Sequence, residues 1–135
     1  MVVLDASMSL AFVLQDEFIG STPAVLEYVA RNGALVPALW EVEVLNGLRS
    51  AELRGRLSEA GASHALQAFA SLPIDISARR VDRVHVLSIA RDHGLSAYDA
   101  TYLWLAMAEN LSLATRDGQL AHAARTAGVE VLGES

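Results

Sequence analysis

The sequence contains no lysine and no cysteine, and each absence excludes a class of site. Without cysteine there is neither a disulfide framework nor a thiolate metal site. Without lysine there is no phosphate-binding loop with its Gly-Lys pair, and no receiver domain, which needs a lysine beside its phosphate. The chain also lacks an apolar run long enough to cross a membrane and a basic N-terminal region of the signal-peptide type. We therefore expect a cytoplasmic protein without a membrane partner.

Charged residues are few as well, at 19% of the chain against 53% hydrophobic residues, which is a globular composition. A length of 135 residues suffices for one domain with a buried core, so we expect a single domain over residues 1–135. The net charge of −6 argues against nucleic-acid binding through bulk charge alone. If a metal site used four carboxylates, the other twelve would nearly balance the ten arginines.

The first strand of the chain is predicted at Val2–Leu4, an apolar run that ends in a carboxylate, Asp5. Short continuous apolar runs are typical of strands buried on both faces, as in the centre of a parallel sheet. Asp5 would then lie at the carboxyl edge of the sheet, where open α/β sheets bind ligands. Alternatively, Asp5 or Ser7 only caps the following helix. A haloacid-type phosphatase is excluded, because it would have a second aspartate in place of Ser7.

Strand patterns alternate with helical patterns along the rest of the chain, which implies mainly parallel pairing through right-handed crossovers. Helices are predicted over 7–15, 22–31, 38–55, 59–71, 78–93, 95–110 and 118–127, and further strands over 34–36, 72–76, 111–115 and 129–132.

The helix predicted over 38–55 has two stripes. Its apolar stripe consists of Leu39, Val42, Leu45 and Leu48. A polar stripe at spacings of three and four includes Glu43 and Asn46. Polar residues on such an apolar segment are either solvated or gathered in a site.

Four acids stand where loops or helices begin above the predicted sheet: Asp5, Glu43, Asp99 and Asp117. Clustered carboxylates repel one another, and Mg²⁺ or Mn²⁺ offsets that repulsion with oxygen ligands. Such a site suits phosphodiester hydrolysis. Each acid also has a simpler interpretation: Asp99 forms a capping box with Ser96, Asp117 caps the last helix, and Glu43 is solvated.

The ordered set of motifs resembles the PIN domain, and most closely the VapC-type toxin ribonucleases of toxin–antitoxin pairs. The resemblance covers essentially the whole chain in family order and at family length. It rests on Val3–Ser7, Pro37–Asn46 with its Glu43-x-x-Asn46 spacing, Leu95–Tyr102 and Leu113–Asp117.

The resemblance implies an α/β fold of three layers, with a five-stranded, mainly parallel sheet in the order 3-2-1-4-5 flanked by helices. It implies a Mg²⁺ or Mn²⁺ site in which Asp5 and Asp99 are the principal ligands. Glu43 and Asp117 would be further ligands or would position water. Accessory polar positions match Ser7, Asn46 and Thr115, and Arg116 is a candidate contact to RNA phosphate.

The implied function is a metal-dependent endoribonuclease, the toxin of a type II toxin–antitoxin system. Its partners would be RNA, a VapB-like antitoxin encoded by an adjacent gene, and a second copy of the chain. Tyr98, Tyr102 and Leu105 share a helix face that either belongs to the core or forms the homodimer interface. The alternative function is a non-catalytic PIN-like module that binds RNA or protein, and metal-dependent activity would distinguish the two.

Overall fold

Short strands alternate with helices through residues 1–133, the part of the chain that the computed structural model describes; the last two residues of the predicted domain lie outside it. The strands are β1 (Val2–Leu4), β2 (Ala34–Val36), β3 (Ile74–Ile76), β4 (Ser112–Ala114) and β5 (Val131–Leu132). The helices are α1 (Ala6–Val13), α2 (Thr22–Asn32), α3 (Leu39–Leu53), α4 (Glu59–Ser71), α5 (Arg83–His93), α6 (Ala97–Glu109) and α7 (Gly118–Thr126), with a 3₁₀ turn at Gln15–Glu17.

The five strands form one sheet in the order β3-β2-β1-β4-β5, and every neighbouring pair is parallel. The predicted architecture is confirmed. Val2, Val3 and Leu4 are fully buried, as expected of a central strand that is covered on both faces. The backbone N–H of Asp5 donates to the Ala114 carbonyl at 3.1 Å, so pairing with β4 continues beyond the end of β1.

Helices cover both faces of the sheet. From β1 the chain moves to β2 and then β3 on one side, and afterwards crosses back to β4 and β5 on the other. Right-handed crossovers therefore put α1–α4 on one face and α5–α7 on the opposite face. Helices α1 and α3 pack closely at Gly47, where an added Cβ would overlap the Leu10 side chain. The direction reverses between β1 and β4, and a crevice at their carboxyl ends is the usual ligand position in such sheets.

Helix α5 begins later than predicted. The prediction of a helix from Ala78 is wrong: the helix starts at Arg83, because Asp82 is its N-cap and accepts the His85 backbone N–H at 3.0 Å. A different contact holds the segment before α5: the Nε of Arg79 lies 3.0 Å from the Glu109 carboxylate of α6.

The apolar stripe predicted for α3 joins the core only in part, since Leu48 is buried and Leu39 packs against the core. Val42 is 68% exposed and Leu45 is 50% exposed, whereas Trp40, Val44 and Leu48 are buried. Trp40 and Val44, which lie outside the predicted stripe, complete the contribution of this helix to the core.

The aromatic face suggested as a homodimer interface does not exist on the surface. Tyr102 is 1% exposed and Leu105 is fully buried, while Tyr98 is 65% exposed. Of the two alternatives, the core interpretation is therefore correct for Tyr102 and Leu105. Within residues 1–133, no helix has the length and apolar character needed to span a membrane.

Candidate active site

The carboxylate of Asp5 is buried at the carboxyl end of β1 and is held by three donors. Asp5 is the N-cap of α1, and its Oδ1 accepts the backbone N–H of Met8 at 2.9 Å. The Ser7 hydroxyl lies 2.9 Å from both carboxylate oxygens, and the Thr115 hydroxyl donates to Oδ2 at 2.5 Å. The capping prediction is confirmed for Asp5, whereas Ser7 serves the carboxylate rather than the helix end.

Burial raises the pKa of the Asp5 carboxyl to about 7, although its three donors act in the opposite direction. The negative charge of Asp99 raises this pKa further. The cause is loss of hydration, because a carboxylate that is only 3% exposed has little contact with water. A buried carboxyl that titrates near neutrality beside a second carboxylate is typical of a functional site.

The hydroxyls of Ser7 and Thr115 join the first turn of α1 to the loop that follows β4. They lie 3.3 Å apart, and each gives its proton to the Asp5 carboxylate. Each also accepts a backbone N–H at 3.0 Å, Ser7 from Arg116 and Thr115 from Asp117. Two of the three predicted accessory residues therefore lie directly beside Asp5.

Asp99 and Asp117 both occupy helix N-termini, as the capping interpretation predicted. Ser96 is the N-cap of α6 and accepts the Asp99 backbone N–H at 3.1 Å. Asp117 is the N-cap of α7, and its Oδ1 accepts two backbone N–H groups of that helix at 2.9 and 3.1 Å. Partial burial raises the pKa of Asp99, and the negative charges of Asp117 and Glu43 raise it further. The Asp117 carboxylate therefore caps α7, whereas at α6 the Ser96 hydroxyl forms the cap and Asp99 contributes only its backbone N–H. The two carboxylates also lie close enough to repel one another.

Glu43 of α3 accepts a hydrogen bond of 2.6 Å from the phenol of Tyr102 on α6. Burial of Tyr102, together with the negative charges of Glu43, Asp5 and Asp99, raises the pKa of the phenol far above its ordinary value. The phenol therefore stays protonated and donates to Glu43. Tyr102 was not predicted as part of the site, although its position three residues after Asp99 on one helix face was a usable signal.

Two further predicted residues lie at the margin of this group. Asn46 is exposed one turn beyond Glu43, and within residues 1–133 its side chain has no hydrogen bond. The guanidinium of Arg116 donates to the Glu17 carbonyl at 3.1 Å and lies 3.5 Å from the Glu17 carboxylate. Arg116 is thus held toward the 3₁₀ turn, while its backbone binds Ser7.

The four carboxylates fit a divalent cation by donor type and charge, but not by a preformed ligand geometry. In the described part of the chain, no three acidic or histidine side chains converge closely enough to hold an ion without moving. Nevertheless Asp99 raises the pKa of Asp5, and Asp117 and Glu43 raise that of Asp99. A cation among them would offset this repulsion, and the all-oxygen donor set is the one that Mg²⁺ and Mn²⁺ prefer.

Comparisons with known proteins agree on one family. The family model of the PIN domain matches residues 2–126. Ribonuclease VapC9 of Mycobacterium tuberculosis and VapC ribonuclease Mb0985 of Mycobacterium bovis are each 34% identical over 125 residues, which is 89% of this chain and 88% of theirs.

Two solved structures are similar to this chain in fold. PAE2754 from Pyrobaculum aerophilum matches with a TM-score of 0.72 and 25% identity over 97% of this chain and 92% of that one. FitAcB from Neisseria gonorrhoeae matches with a TM-score of 0.66 over 98% and 97% of the two chains, and at 21% identity it bears on the fold alone. This chain belongs to the PIN domain family.

Proposed function

We propose that this protein acts as a single domain that hydrolyses RNA phosphodiester bonds, as a metal-dependent endoribonuclease and the toxin of a type II toxin–antitoxin system. Relatives named as ribonucleases, at 34% identity over most of the chain, support the substrate and the reaction. The observation that carries the proposal is the buried Asp5 carboxylate at the carboxyl end of β1, which three donors hold in place and whose pKa is raised by burial and by the nearby charge of Asp99.

In this proposal Asp5, Asp99, Glu43 and Asp117 hold Mg²⁺ or Mn²⁺, which when bound activates water and offsets charge on the phosphate. The chain itself fixes the ligands. Donors from Ser7 and Thr115 orient the Asp5 carboxylate, and backbone N–H groups of α7 orient that of Asp117. The Ser96 hydroxyl fixes the backbone of Asp99 at the start of α6.

Arg116 is the proposed contact to RNA phosphate. Its backbone is fixed on Ser7 beside Asp5, and its half-exposed guanidinium lies against Glu17 at the rim of the crevice. A phosphate can compete with Glu17 for this guanidinium, because arginine binds both groups through charge-assisted hydrogen bonds.

The proposed partners follow from the same crevice and from the family. An acidic pocket suits an arginine, so we infer that a VapB-like antitoxin encoded beside this gene inserts one against Asp5 or Asp99. An RNA substrate implies a cytoplasmic location.

We also infer a homodimer, for which exposed apolar residues of α5, Val84 and Leu87, offer a surface in place of the buried Tyr102 face. Sedimentation at micromolar concentration tests it, and a monomer would count against it.

The test of the function is cleavage of a structured RNA pool with Mn²⁺, with Mg²⁺ and with a chelator. We expect cutting only with metal, and loss of cutting in Asp5→Asn, which retains the shape and the capping ability of the side chain. Asp75→Asn, an exposed acid of β3, is the matched control and should cut like the parent. Equal cutting in chelator would refute the metal mechanism, and RNA binding without cutting would favour the non-catalytic module.

A further inference from the structure

Glu43 depends on Tyr102 more than the other carboxylates depend on any side chain. Asp5 has three donors, and Asp117 has two backbone donors. Within residues 1–133, the Tyr102 phenol provides the one hydrogen bond to the Glu43 side chain. A glutamate has several rotatable bonds, and ordering it without a partner costs conformational entropy.

The bond between Tyr102 and Glu43 has the geometry of a strong, charge-assisted interaction. Its length of 2.6 Å lies in the range of an O–H donor bound to a carboxylate. Tyr102 is almost fully buried, so little water competes for its phenol, while Glu43 is half-buried. The phenol binds Oε1 of Glu43 and leaves Oε2 for another partner.

Tyr102 is itself a rigid support. It lies in the core on α6, three residues after Asp99, so both side chains project from the same face of one helix. Glu43 belongs to α3, on the opposite face of the sheet. The phenol therefore sets the position of Glu43 relative to Asp99 across the crevice.

We propose that Tyr102 is a positioning residue for the metal site: it holds Glu43 beside Asp99 with one carboxylate oxygen occupied and the other free for a cation. The inference rests on the proposed function and adds a residue to it. Hydrogen-bond partners of metal ligands orient those ligands, and their loss typically lowers metal affinity or activity about 10–100-fold.

The test compares the parent with Tyr102→Phe, which removes only the hydroxyl. Isothermal titration with Mn²⁺ alone, without RNA, should give an affinity about 10–100-fold weaker in the variant. Cleavage by the variant should recover in part as Mn²⁺ is raised. Tyr28→Phe, which removes a phenol hydroxyl from exposed Tyr28 of α2, should match the parent in both assays.

A double variant separates positioning from packing. In a Glu43→Gln background, Tyr102→Phe should cause little further loss of Mn²⁺ affinity, because the phenol acts through the Glu43 carboxylate. If Tyr102→Phe lowered Mn²⁺ affinity equally in the parent and in the Glu43→Gln background, the inference would be overturned and Tyr102 would be a purely structural residue. Parent-like Mn²⁺ affinity in Tyr102→Phe would also overturn the inference, with the proposed function left standing. A parent that neither binds Mn²⁺ nor cuts RNA would instead refute the proposed function, and the inference with it.

Discussion

The indole N–H of Trp40 donates a hydrogen bond of 2.8 Å to the hydroxyl of Ser9, and both residues are buried. The Ser9 hydroxyl in turn donates to the Asp5 carbonyl at 2.7 Å. This chain of bonds fixes the first turn of α3, one turn before Glu43, against Asp5, the residue that follows β1. It complements the bond between Glu43 and Tyr102, which fixes the same helix to α6.

Ser9→Ala should destabilise the fold. The substitution leaves the buried indole N–H of Trp40 without its acceptor, which costs about 1–3 kcal/mol. Chemical denaturation in the presence of chelator measures the loss. Ser63→Ala on an exposed part of α4 serves as the control, and an equal change in both variants would contradict the prediction.

Asp5→Asn should change how stability depends on pH in metal-free protein. The pKa of Asp5 in the fold is about 7, above its ordinary value of 3.8, so the folded state binds the proton more tightly than the unfolded state. The stabilisation of the fold by protonated Asp5 is fully present below about pH 4 and is lost as the pH rises through 7. At about 1.4 kcal/mol per pKa unit, the parent should lose on the order of 2–4 kcal/mol relative to the variant between pH 4 and pH 8. Denaturation across this range measures the difference, and exposed Asp92→Asn should follow the parent. A parent-minus-variant difference that stays constant with pH would disprove the assignment.

Asp99→Asn separates a metal ligand from a helix-capping residue. Without metal, the variant should be as stable as the parent or slightly more stable, because relief of repulsion is worth on the order of 1 kcal/mol at a partly solvated site. Mn²⁺ should raise the melting temperature of the parent more than that of the variant, since ligand binding stabilises the folded state. RNA cleavage should fall by orders of magnitude. A variant that is destabilised in chelator yet cuts RNA normally would show that Asp99 serves only the helix.

Arg116→Gln should weaken RNA binding more than it slows the chemistry. Loss of one phosphate contact raises KM and lowers the slope of log affinity against log salt concentration by about one, while kcat changes less. Single-turnover and steady-state cleavage at several salt concentrations measure both effects. Arg31→Gln on α2, where the arginine pairs with Glu27, should leave KM, kcat and the salt dependence unchanged. A loss of kcat with unchanged salt dependence would contradict a phosphate contact.

The carboxyl-edge rule predicted the position of Asp5 correctly, because a buried parallel strand must deliver its next residue to that edge. The order of the strands, in contrast, came from the family resemblance, since periodicity within a strand carries no information about its neighbours. The start of α5 at Arg83 was missed because apolar spacing continues upstream, while the capping side chain of Asp82 decides the boundary.

Side-chain partners across the crevice were beyond sequence reasoning. Helix α3 has apolar residues on two faces, and only tertiary packing selects Trp40 and Val44 over Val42 and Leu45. Tyr102 has an apolar ring and a polar tip, so its sequence position fits a core, an interface and a site equally well. Its hydrogen bond to Glu43 depends on the packing of α3 and α6 around the sheet, which the sequence alone does not reveal.

The hydroxyl of Thr115 reaches an aspartate that precedes it by 110 residues, and this separation bears on when the protein can act. On the ribosome, Asp5 is synthesised early, but Thr115, whose hydroxyl orients its carboxylate, follows 110 residues later. A nascent or prematurely terminated chain that stops before β4 lacks Thr115, Arg116 and Asp117 altogether. The proposed activity therefore cannot begin before β4 and the start of α7 have been synthesised, because the complete set of acids and their donors does not exist until then.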